Sequence, residues 1–132
     1  MKKILIAAIL LSSTMLMAEE KSNEEMKKTM QNLEVSMASI QKGFLYNHRG
    51  RIQKGIESLR EELKNIDSFV IENDKDLKFN AQKYAKTETK ALDLMASRIL
   101  KNFDDGKKEA VMVDFQQMLN RCVTCHALVR RW

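Results

Sequence analysis

The 132-residue chain contains no proline and only four glycines. Nothing in it therefore breaks long helices. Histidine and cysteine are scarce, with two of each. A structural zinc site takes four ligands, and the one set on offer is Cys122, Cys125, His126 and His48. That set is awkward, because Cys125 and His126 are adjacent. No long basic run carries interleaved aromatics, so nucleic-acid binding is not expected. Paired carboxylates, a Ser/His/Asp set and a phosphate-binding glycine loop are also missing, which leaves no candidates for hydrolysis or group transfer. The chain does not read as an enzyme.

What is present begins with an export signal. Lys2 and Lys3 precede an unbroken apolar run from Ile4 to Leu11. Ser12, Ser13 and Thr14 then interrupt it, and Ala18 stands before Glu19 and Glu20. This is the layout of a secretory signal peptide over residues 1–18. The apolar run is short for an uncleaved anchor, since a spanning helix needs about 20 residues. Cleavage leaves residues 19–132 as one small domain in the periplasm, without stable membrane insertion. Loss of Lys2 and Lys3 lowers the formal charge of +5 by two, a mild basic surplus suited to docking on an acidic redox partner.

Both cysteines and one histidine lie together in Cys122-Val123-Thr124-Cys125-His126. This CxxCH spacing is the attachment pattern of c-type haem. Two cysteines at i and i+3 put their sulfurs on one face of a helical turn, where they can form thioethers to neighbouring vinyl groups of one porphyrin. His126 follows as the proximal iron ligand. Attachment of this kind in bacteria takes place outside the cytoplasm, so the export signal supports it independently. A thioredoxin-like CxxC belongs with a βαβ pattern, and there is no strand signal. A simple disulfide in an oxidising compartment is the remaining rival.

Apolar residues recur at three and four, the helical period, in four stretches. The first spans about Ser22 to Leu45, with Ser22 as cap, Glu25 completing a capping box, and Met26, Met30, Leu33, Met37, Ile40 and Phe44 inward. Asn47, Arg49 and Gly50 mark a turn. The second spans about Arg51 to Ile71, with Ile52, Ile56, Leu59, Leu63, Ile66 and Phe69-Val70 inward. Asn73-Asp74 should cap the third, which runs to about Phe103 and turns Leu77, Tyr84, Ala91-Leu92, Met95 and Ile99 inward. After Asp104-Asp105-Gly106 the fourth continues to near the end, with Val111, Phe115, Met118-Leu119, Cys122 and His126 inward. Short connections make neighbours antiparallel, so the expected fold is all-α: an up-down-up-down antiparallel four-helix bundle with haem near the C-terminal helix.

A four-helix bundle with CxxCH on its last helix resembles the cytochrome c′ and cytochrome c-556 family, the class II cytochromes c. In sequence the resemblance rests on Cys122, Cys125 and His126, on Arg130 one turn after the histidine, and on the Lys42-Gly43 pair closing the first helix. The family often has tyrosine before that arginine, where this chain has Val129. The segment between the second and third helices reads as shorter than in many relatives. The resemblance implies one covalent haem c with its iron, Arg130 standing near the haem without touching the iron, and redox proteins as partners. Relatives of this fold often form homodimers through the first two helices.

The resemblance also implies that the first helix supplies the residue over the distal face of the iron. A methionine there gives six-coordinate iron suited to electron transfer; an apolar residue leaves a site for small gases. If the first and last helices are antiparallel, His126 near the C-terminus faces the first turns of helix one. That selects Met30 as the distal ligand, with Met26 as the alternative. Met37, about 10 Å further along at 1.5 Å per residue, is too deep. The competing reading makes these methionines plain core, since methionine fills irregular interiors well. His48, in the turn after the first helix, reads as a surface residue. The expectation is a periplasmic mono-haem one-electron carrier. The alternatives are a five-coordinate haem protein binding NO or CO, and a non-haem CxxC interaction module.

Overall fold

The computed structural model of the chain describes the backbone of residues 2–69, 71 and 80–130, and the side chains of residues 23–69, 71 and 80–129. It is all-helical, with four helices and no strand among the described residues: α1 (Lys2–Leu45), α2 (Arg49–Ile66), α3 (Ala81–Asp104) and α4 (Lys108–Arg130). No helix among these residues is long and apolar enough to cross a membrane.

The expected start at Ser22 is corrected: α1 runs straight through it. No helix-breaking residue intervenes between the apolar run and Ser22, so an internal serine has no free helix end to cap. The turn after α1 is built by Asn47, at φ 49, a left-handed backbone that asparagine tolerates. His48 then caps α2, its Nδ1 accepting a hydrogen bond from the Arg51 N–H at 3.1 Å. Arg49 and Gly50, expected in the turn, already belong to α2.

Among the described residues α2 ends at Ile66, short of the expected Ile71, and α3 begins at Ala81. Asn80 caps α3 through its side chain, which accepts from the Lys83 N–H at 2.8 Å. Asn73, Asp74 and Leu77, expected as cap and core, lie outside the described residues, as does Val70. Phe69 is nonetheless buried, and the Ile71 N–H donates to Gln82 Oε1 at 2.9 Å, which ties the connection to the start of α3. Gly106, at φ +72, makes the last turn.

The core follows the apolar stripes. Ile40, Ile52, Ile56, Leu59, Ile99 and Met118 are fully buried, each worth about 1.5–3 kcal/mol of transfer free energy. Leu119, expected inside, is exposed on α4, because Met118 takes the inward position. Between α1 and α2 the backbones come very close. A Cβ at Gly43 would lie 2.9 Å from the Ile52 nitrogen, and one at Gly55 would lie 3.0 Å from the Ile40 nitrogen and the Ser36 carbonyl oxygen. Glycine is required at both places for its size.

Polar pairs record how the helices lie together. Asn32 donates to Glu62 and Ser36 to Ser58 between α1 and α2. Arg49 pairs with Asp104, and Arg60 with Asp93, between α2 and α3. Arg98 pairs with Asp114, and Arg121 with Glu88, between α3 and α4. In every set the numbers climb on one helix as they fall on the other.

Candidate functional site

The site is a set of side chains facing one another from the second half of α1 and the end of α4. Met30 and His126, 96 positions apart, meet with Sδ 3.4 Å from Nε2. Both are half-buried. Cys122 lies one turn before His126 and packs, partly buried, against the buried apolar cluster, as do Met30 and Leu33. Cys125 is half-buried on the same helix, and both cysteines are free thiols.

The seam between α1 and α4 is wide. Among the described residues no Cα of α1 comes within 8 Å of one of α4. Long side chains span it instead. At one end Phe44 packs edge-on to Phe115 at 5.4 Å and stacks with Phe103 at 6.4 Å. At the other end stands the Met30–His126 contact. Met30, Leu33 and Met37 from α1, and Phe115, Met118 and Cys122 from α4, belong to one apolar cluster.

This arrangement brings together one nitrogen and one thioether sulfur from two helices, with two thiols on the same helix as the nitrogen. An imidazole and a thioether suit iron as an axial pair. The 3.4 Å contact would have to open for both donors to hold an iron between them. Methionine, with three rotatable bonds, can allow that. The donor set thus fits the pair that a haem iron takes, with an apolar surround. Met26, one turn earlier on α1, is half-buried. His48 caps α2 at the turn after α1, so it belongs to helix capping. Among the described residues no three His, Cys, Asp or Glu side chains gather as a metal site. Arg130 closes α4, and its side chain lies outside the described residues.

A polar cluster flanks the cysteines on the α3 side, and sequence reasoning did not single it out. Glu88 is buried, at 7% exposure. Its two carboxylate oxygens accept from Arg121 Nη1 at 3.0 and 2.9 Å. Tyr84 lies one turn before Glu88. The available clue was a lone acid at the helical spacing of an apolar stripe, four residues after Tyr84 and four before Leu92.

These surroundings disfavour charge on the thiols. Burial, then the neighbouring Cys125, pushes the Cys122 thiol up to about 11. Burial, then the Glu88 carboxylate, raises Cys125. Burial likewise raises the Tyr84 phenol, with Glu88 and Cys125 adding to the effect and Arg121 opposing it. At neutral pH both cysteines are protonated thiols, which resist oxidation.

No family model, no curated protein and no solved structure matches the chain.

Proposed function

We propose that this chain is an exported mono-haem c-type cytochrome that carries one electron at a time between redox proteins. The carrying observation is the 3.4 Å contact of Met30 with His126, because the same histidine closes the CxxCH segment. Cys122 and Cys125 would hold the porphyrin through thioethers, and His126 and Met30 would hold its iron. Bound haem would supply a ferric/ferrous couple, whose potential ligation by a methionine and a histidine raises. The chain's own residues do the rest. His126 and Met30 hold fixed positions on separate helices, and Leu33, Met37, Phe115 and Met118 keep the seam apolar and exclude water.

In this reading the helices form an up-down-up-down antiparallel bundle of the class II cytochrome type. The falling-against-rising residue pairs between successive helices support that topology. Residues 1–18 act as a signal peptide that delivers the chain to the periplasm, where the ligation partners are available.

Production with a cytochrome c maturation system, followed by mass measurement and absorption spectra, tests the proposal. The expected result is a mass gain of one haem that survives denaturation, sharp low-spin bands on reduction, and no rapid carbon monoxide binding. A high-spin spectrum with ready carbon monoxide or nitric oxide binding would replace the carrier by a gas-binding haem protein. No mass gain would leave a non-haem module.

A further inference from the structure

Two buried acids tie α3 to α4, and they sit at opposite ends of the interface. Asp114 is 6% exposed and accepts from Arg98 Nε and Nη2 at 3.0 and 2.5 Å, and from Asn102 Nδ2 at 3.4 Å. Glu88, 7% exposed, accepts at both oxygens from Arg121 Nη1. Both clamps bind the same two helices, so joining them does not by itself explain the second. Their distances from the CxxCH segment differ. Arg121 directly precedes Cys122 and lies one turn before Cys125, about 7.5 Å of helical rise from His126. Asp114 lies twelve positions before His126, about 18 Å along the helix.

We propose that Glu88 and Arg121 are a charge-setting pair for the redox centre, with the buried Glu88 carboxylate balancing Arg121 and stabilising the more positive, oxidised state. This rests on the haem reading above. The Glu88 carboxylate accepts both hydrogen bonds from Arg121 Nη1 and stands near enough to Cys122 and Cys125 for its charge to act on both. A carboxylate removed from water acts through a low effective dielectric, so its charge is felt across several ångströms. The Asp114–Arg98 clamp, of like composition, is the built-in structural control.

The test measures midpoint potentials of the matured wild type and of Glu88→Gln, Arg121→Gln and Asp114→Asn at pH 8. Glutamine keeps the size of Glu88 and removes its charge. Glu88→Gln is expected to raise the ferrous-to-ferric ratio at fixed ambient potential about tenfold, the size for a unit charge roughly 10 Å away at an effective dielectric near 20. Such a rise, with a fall in Arg121→Gln and no change in Asp114→Asn, supports the pair as charge-setting. No rise in Glu88→Gln, no fall in Arg121→Gln, or the same rise in Asp114→Asn overturns it. If Glu88→Gln does not accumulate folded, Arg121→Gln carries the test: a fall in the ratio supports the assignment and no fall overturns it. A wild type that gains no haem ends the parent reading and this one together. A haem-bearing wild type with unmoved potentials across the variants ends only this one.

Discussion

Met30 Sδ stands 3.4 Å from His126 Nε2, although the two residues belong to the first and last helices. Met26, one turn away on α1, shares the half-buried face of that helix. The two methionines therefore make different predictions. In the matured protein, Met30→Ala is expected to open the iron, broaden the reduced bands and admit carbon monoxide. Met26→Ala should leave the low-spin spectrum and the carbon monoxide response of the wild type in place. The reverse pattern would move the distal ligand one turn towards the N-terminus, and silence from both would make the pair core.

Covalent attachment divides between two sulfurs. Cys122→Ala or Cys125→Ala alone is expected to leave one thioether, so a haem-sized mass gain survives denaturation at reduced yield. The double variant should lose it entirely, with any haem extracted by acid and organic solvent. Denaturing mass measurement of all three decides the matter.

In the haem-free chain, the Cys122 thiol lies well above its ordinary 9.0, at about 11. A rise of two units corresponds to about a hundredfold less thiolate at neutral pH. Alkylation of folded apoprotein should therefore be slow at pH 8, climb with a midpoint near 11 at Cys122, and accelerate on unfolding in urea. The sign for stability follows. Between pH 9 and about 11 the folded chain holds more protons than the unfolded one, so apoprotein stability falls as pH rises through that window. Urea titrations at pH 8 and pH 10.5 would detect the loss, and equal midpoints would refute it.

Gly43 meets Ile52 with no room for a methyl group: its Cβ would lie 2.5 Å from Ile52 Cγ1 and 2.9 Å from the Ile52 backbone nitrogen. Alanine favours helix by about 1 kcal/mol over glycine, yet Gly43→Ala is expected to destabilise the protein by about 1–3 kcal/mol through overpacking. Thermal or urea unfolding measures it. A gain in stability would mean that α1 and α2 separate freely.

Much of this fold is legible in the chain because burial follows a helical period. Ile40, Ile52, Ile56, Leu59, Met95, Ile99 and Met118 read as inward and are buried. Ends are less legible, since a cap acts only where a helix stops. Ser22 has capping chemistry but sits mid-helix, while His48, read as a plain surface residue, caps α2. Within the candidate site, CxxCH is readable because three chemistries share five residues. Glu88 is not, because an acid's partner on another helix leaves no mark at its own position.

Local sequence alone determined the helical class and the CxxCH segment, because periodicity and spacing act over a few residues; the choice of Met30 or Met26 opposite it came from the resemblance and the expected antiparallel packing. Tertiary structure decided which methionine meets His126, and that Arg121 turns to a buried Glu88. Both depend on the relative height of two helices. That height is set by contacts made far along the chain: glycine-tight packing of α1 on α2, the Phe44–Phe115 ring contact, and the two acid clamps between α3 and α4.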